Sequence, residues 1–194
     1  MAGEYNYPKL RERLERVKRV LDEETATVWS LQGAALKKRD NPFVSHLQRI
    51  FDQHREKIDG TNVSIELVEK GDPFAWRITY FGQPMTNLDG AFFSLLMYVS
   101  PKFPDEQPRV IMETKPMFHH RIAKDGTVCY FPKQRDSLPS HIDGIVEALE
   151  DENPSYDPRT HLNMEACKLY WGGEDSRKQY NRRLRQAVQR SSEG

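Results

Sequence analysis

"NVSIELVEKGDPFAWRITYFGQPMTNLDGAFFSLLMYVSPKFPDEQPRVIME", residues 62 to 113, decides the fold class. Val63, Ile65 and Leu67 alternate with polar residues, and so do Trp76, Ile78 and Tyr80, which is the period of a half-buried strand. "AFFSLLMYV" (91–99) is a longer apolar run, as expected of a central strand, and "RVIME" (109–113) alternates again. "GDP", "GQPMTNLDG" and "PKFPDEQP" supply turn chemistry between them. Strands joined by links this short pair antiparallel, because a parallel crossover needs a dozen or more residues. The stretch therefore predicts a meander of four strands.

Before the meander, Phe43, Leu47, Ile50, Phe51 and Ile58 mark one face of a helix. Asp40 or Asn41 can cap it, Pro42 suits its first turn, and Gly60 ends it. Further back, "PKLRERLERVKRVLDEE" (8–24) reads as another helix, with a narrow stripe of Leu10, Leu14, Val17 and Leu21. Residues 1–40 are read as a helical N-terminal extension ahead of a core domain over 41–194. After the meander, residues 114–139 are irregular. Three helical patterns follow: Ile142, Ile145, Val146 and Leu149; Leu162, Ala166, Leu169 and Tyr170; Tyr180, Leu184, Ala187 and Val188. The expected class is α+β, with helices packed on one face or end of an antiparallel sheet.

Of the 194 residues, 37% are apolar and 30% charged, with the charges balanced to zero. That balance argues against a dedicated nucleic-acid binder or a protein of anionic membranes. No apolar run approaches the ~18 residues of a membrane helix, and "MAGEYNYPKL" lacks the apolar stretch of a signal peptide. Cys129 and Cys167 do not make a disulfide framework, so a soluble protein of a reducing compartment, cytosol or nucleus, is expected.

The irregular segment is the place to look for chemistry, since long loops inside compact domains are more often functional than not. It contains "HHRIAKDGTVCYFP" (119–132). A zinc site is not supported, because His119, His120 and Cys129 lack the paired spacing such sites use. No Gly-rich phosphate loop and no G-x-S-x-G elbow occurs. Cys129 has two readings. It is a small buried hydrophobe, or a nucleophile whose thiolate is favoured by Arg121, Lys124 or Lys133. Cys167, one residue from Ala166 in a helical pattern, reads as a core residue.

These features, in order, resemble the ubiquitin-conjugating enzymes. "FAWRITYFGQPMTNLDGAFFSLLMYV" is similar to the family's W-x-A-x-I-x-G-P-x-x-T-x-Y-x-G-G-x-F stretch through Trp76, Gly82, Pro84, Thr86, Gly90 and Phe92. "SPKFPDEQPRVIMET" resembles P-x-x-Y-P-x-x-P-P-x-V through Pro101, Phe103, Pro104, Pro108 and Val110. "HHRIAKDGTVCYF" resembles the active-site run H-P-N-I-x-x-x-G-x-I-C-L through His119, Ile122, Gly126 and Cys129. "LNMEACKLY" and "DSRKQYNRRLR" resemble the last two helices; the likeness spans residues ~41 to 190 at the level of local motifs.

The resemblance implies the family's fold, a four-stranded antiparallel meander flanked by a first helix and later helices. It implies thioester transfer: Cys129 takes ubiquitin or a ubiquitin-like modifier from an activating enzyme and yields it to a lysine or a ligase cysteine. No metal or organic cofactor is implied. His119 matches a histidine that is usually structural. Asp157, in "NPSYDPRTHLNMEA", matches an acidic residue that orients the incoming lysine, although "RTH" is an insertion beside it. Phe103, Pro104 and Asp105, with Ser137, Leu138 and Pro139, fall on the two ligase-facing loops.

Several positions depart from the pattern. His120 and Arg121 stand where the family has proline and asparagine. The implied role of that asparagine is to serve the oxyanion or to shape the loop, so Arg121 is expected to stabilise the oxyanion or to hold the loop by a salt bridge. His120 could act as a base toward the amine. Asp105, followed by Glu106, replaces a bulky apolar residue, and Asp136 replaces a tryptophan, so weak binding to ordinary RING-type ligases and an atypical ligase are expected. Two readings remain open at this point: a divergent active carrier, or a catalytically inactive module of the same fold that binds or scaffolds.

Overall fold

The structure is a computed structural model describing residues 42–115, 117–153 and 163–193. The helix and the domain boundary expected within residues 1–40 lie outside the described residues. The chain divides into two compact units, Met1–Val44 and Ser45–Gly194, and nearly all described residues belong to the second. Its elements are α1 (Pro42–Ile58), β1 (Val63–Leu67), β2 (Ala75–Phe81), β3 (Phe92–Tyr98), β4 (Arg109–Met112), α2 (Leu138–Leu149), α3 (Met164–Trp171) and α4 (Glu174–Glu193).

The strands form one sheet in the order β1-β2-β3-β4, every pair antiparallel. This is the meander the alternation predicts. Residues at period 2 line one face. Ile65, Trp76, Ile78, Tyr80, Phe93, Leu95, Met97, Val110 and Met112 are all buried. β3 takes the central position its apolar run predicts, between β2 and β4; it differs from a fully buried strand in that Ser94, Leu96 and Tyr98 are half-buried on its other face. The core face takes α1, where Phe51 meets Trp76 edge-to-face at 5.1 Å. The Trp76 indole N–H donates to the Pro73 carbonyl at 2.6 Å, so burying it leaves no orphan donor.

The apolar stripe of α1 also differs from its reading. Its buried residues are Leu47, Phe51 and His54; Ile50 and Ile58 are only half-buried. His54 follows Phe51 by three, so spacing alone puts it on the inner face. Its ring nitrogens are buried with no hydrogen-bond partner among the described residues, and burial holds its pKa below the ordinary value. In α2 the buried face is Leu138, His141, Ile142, Gly144, Ile145, Ala148 and Leu149. In α4 it is Tyr180, Leu184, Ala187, Val188 and Ser191, which includes every residue of the expected pattern.

Candidate active site

The cysteine sits at the end of a small hairpin-like turn docked on β4. Ile122 and Val128 bridge across the turn, and Thr127 bridges to Ile111 of β4. The Ala123 N–H donates to the Thr127 carbonyl at 2.9 Å, and the Cys129 N–H to the Arg121 carbonyl at 2.8 Å. Gly126 is needed at the turn. Its φ is +90°, and an added Cβ would lie 2.9 Å from the Met112 carbonyl oxygen. Its own carbonyl accepts the Met112 N–H at 2.8 Å, which seats the turn on the sheet. Cys129 is partly exposed, whereas Cys167 is buried in α3, where burial pushes its thiol pKa up. A buried thiol held protonated is inert, and of the two cysteines Cys129 is the one that solvent reaches.

Upstream of the cysteine the chain is tied down by three consecutive polar side chains. The His119 Nε2–H donates to the Leu149 carbonyl at 3.0 Å, and its Nδ1 accepts the Arg121 main-chain N–H at 3.0 Å. A carbonyl only accepts, which fixes the tautomer. Burial lowers the His119 pKa to about 3, with the neighbouring His120 adding in the same direction, so the ring is neutral. With both nitrogens engaged by the main chain, His119 cannot carry a proton to or from a substrate. His120 is fully buried, stacks on His119 at 4.5 Å, and its Nε2–H donates to Asp151 Oδ2 at 3.2 Å. A ring enclosed in this way cannot meet an incoming amine, so the expectation of a base at His120 is corrected.

Arg121 reaches the same oxygen. Its Nε and Nη2 donate to Asp151 Oδ2 at 2.9 and 2.7 Å, and its Nη1 is buried with no partner among the described residues. Asp151 Oδ1 accepts the Asn153 N–H at 3.2 Å. Burial raises the Asp151 pKa, but the bonds from Arg121 and His120 outweigh it and hold the carboxyl below its ordinary range. The His120 carbonyl accepts the N–H of Asn163, whose side chain caps α3 through the Ala166 N–H at 3.1 Å. Residues 119–121 are thus pinned to the end of α2 and the start of α3.

Of the expected partner-facing residues, Pro104 and Asp105 are exposed, and Phe103, Ser137 and Pro139 are half-buried. Leu138 is a correction as a surface residue: it is 1% exposed and belongs to the core. Ser137 caps α2, its hydroxyl oxygen accepting the Ser140 N–H at 3.4 Å. A groove of ≈ 390 Å³ runs between Gln53, His54 and Lys57 of α1 and Asp136, Leu138 and Pro139. Asp157 lies outside the described residues. Asp151 and Tyr130 were not singled out from the sequence, and His141 was weighed only as a further ligand of the zinc site that spacing does not support. No local motif marks them, because their roles come from contacts across many residues of chain.

The family model "Ubiquitin-conjugating enzyme" matches residues 47–188, most of the chain, and so covers the sheet, the turn and the later helices. The chain belongs to the ubiquitin-conjugating enzyme family. Among similar proteins, "Ubiquitin-conjugating enzyme E2 7" of Triticum aestivum is 27% identical over 139 residues, covering 65% of this chain and 80% of that one. "Ubiquitin-conjugating enzyme E2 14" of Arabidopsis thaliana is 25% identical over 160 residues, covering 75% and 92%. Proteins of this family act with ubiquitin, an activating enzyme and a ligase.

Proposed function

We propose that this protein is an active carrier in which Cys129 holds ubiquitin, or a ubiquitin-like modifier, as a thioester. The observation that carries the reading is the placement of Cys129. It is the partly exposed thiol at the end of a turn that is anchored to the sheet on one side and to α2 on the other. In the loading step the Cys129 thiolate attacks the carbonyl of the modifier's C-terminal thioester on the activating enzyme. A new S–C bond forms, and the activating enzyme's thiolate leaves. In discharge, a lysine amine attacks the same carbonyl, an amide forms, the Cys129 thiolate leaves, and the ammonium proton passes to a base.

Arg121 supports this reading as a loop anchor and not as an oxyanion donor, because Asp151 takes its Nε and Nη2 hydrogens and its Nη1 is buried. Asp157 is proposed to orient the lysine, so that Asp157→Ala slows discharge to free lysine more than loading. An acidic pair, Asp105 with Glu106, on the loop before β4 favours a ligase with a basic or polar contact surface over an apolar one. The other reading, a non-catalytic module of the same fold, is favoured by one feature: no amide side chain stands at position 121.

Incubation with activating enzyme, ATP and ubiquitin separates the two. The carrier reading expects a reductant-sensitive adduct one modifier heavier, absent in Cys129→Ala. Failure to form an adduct with ubiquitin or any ubiquitin-like modifier, each with its own activating enzyme, overturns it.

A further inference from the structure

Downstream of the cysteine, the chain is held by a histidine that no part of the mechanism above uses. Tyr130 directly follows Cys129, and its O–H donates to His141 Nδ1 at 2.8 Å, the two rings meeting edge-to-face at 5.7 Å. The His141 Nε2–H donates to the Arg135 carbonyl at 3.0 Å, and its ring meets Phe103 edge-to-face at 5.9 Å. His141 is 1% exposed. A carbonyl only accepts, so Nε2 carries the hydrogen and Nδ1 is left to accept from tyrosine. One turn further along α2, a Cβ on Gly144 would lie 2.8 Å from the Phe131 carbonyl oxygen, so the chain after the cysteine lies directly on the helix.

We infer that His141 is a positioning residue that couples the partner-facing loop at Phe103 to Cys129 through the Tyr130 hydroxyl. Its ring touches Phe103, the Arg135 main chain and the residue bonded to the cysteine. Close-packed interiors pass a displacement on instead of absorbing it. A partner that presses on Phe103 therefore shifts the ring, and the ring cannot shift without moving the tyrosine hydroxyl or breaking a buried hydrogen bond. Residues sharing one such network depart from additivity, whereas separated ones do not. The functional meaning of this coupling rests on the reading of Cys129 as the acyl carrier, but the coupling itself can be measured without any modifier.

The test is the rate of Cys129 alkylation by iodoacetamide, resolved from Cys167 by peptide mass and followed across roughly pH 6–10 so that thiol pKa and limiting rate separate. Phe103→Ala is expected to change the Cys129 rate by about threefold or more in the wild-type background, and by under about 1.5-fold when Tyr130→Phe or His141→Gln is already present. An effect of Phe103→Ala that is equal in all three backgrounds, or absent from the wild type, overturns the proposal. Tyr130→Phe keeps the ring and removes only the hydroxyl, so it serves if His141→Gln fails to fold. A merely structural role would lower the melting temperature and leave the Phe103 effect unchanged. Coupling without a thioester adduct would refute the carrier reading alone; an adduct without coupling would refute the present inference alone.

Discussion

The two flanks of Cys129 are held to the same helix by different physics. On the upstream flank, His119 binds the Leu149 carbonyl, and His120 and Arg121 converge on Asp151, just past the end of α2. On the downstream flank, Tyr130 binds His141 in the first turn of α2, and Phe131 lies on Gly144 one turn later. The helix therefore sets where the cysteine stands, with charge at one end and shape at the other. A charged clamp is sensitive to the loss of one partner. The Arg121 and Asp151 side chains are 16% and 22% exposed, so removing the carboxylate strands a poorly solvated guanidinium. Asp151→Ala is expected to lower unfolding stability by about 3 kcal/mol, measured by urea denaturation at neutral pH. A loss no larger than that of an ordinary surface substitution would break the contrast between the flanks.

The upstream flank should also respond to acid. His119 is neutral in the folded state, with its pKa lowered from 6.5 to about 3, while in the unfolded chain it titrates near its ordinary value. As pH falls below that ordinary value the unfolded state gains a proton that the folded state refuses, so stability falls. From pH ~6.5 to ~5, this residue alone is expected to remove about 2 kcal/mol. Burial lowers His54 and His141 as well, which adds to the loss in the same direction. Asp151 acts at lower pH. Its folded pKa lies below the ordinary 3.8, so the stability it contributes is present above that value and is lost as pH falls through the folded pKa. Stability of His119→Gln followed against pH should have a shallower slope from pH ~6.5 down to ~4, above the range in which Asp151 titrates; an unchanged slope there would show that His119 is not the titrating group.

On the downstream flank the expected effect is one of volume. In Gly144→Ala the new methyl meets the Phe131 carbonyl at 2.8 Å, and a backbone atom cannot swing aside as a flexible side chain would. A loss of about 1.5 kcal/mol is expected, with no pH dependence of its own, together with a changed alkylation rate at Cys129. A stability loss confined to acid would mean that the two flanks are not distinct after all.

What was legible in the sequence follows the range of the interactions. The strand period from Val63 to Met112 gave the sheet, its order and its buried face, because alternation is a local property that pairing only has to respect. The turn before the cysteine has a local cause in "KDG", with Gly126 at the position that needs a positive φ. The clamps were not visible. Asp151 stands 30 residues from Arg121, and neither side chain carries a periodic signal. His120 reads as a loop histidine until the structure encloses it between His119 and Asp151. His54 was within reach, since the spacing 47, 51, 54 and 58 is helical; a polar residue type concealed it.

The smallest effect belongs to a charge pair that looks as good on paper as the one at Arg121. Lys133 Nζ lies 2.6 Å from Glu147 Oε1, and also joins the downstream segment to α2. Its side chains are 77% and 55% exposed, against 16% and 22% for the upstream pair. Water and salt screen such a pair, and holding two long side chains in one geometry costs entropy that offsets the attraction. Lys133→Ala is therefore expected to leave the urea midpoint within measurement error, at low and at high salt alike. A shift that grows as salt is removed would mean that charge fastens the downstream flank too. Asp151→Ala and Lys133→Ala would then differ in degree of burial and not in kind.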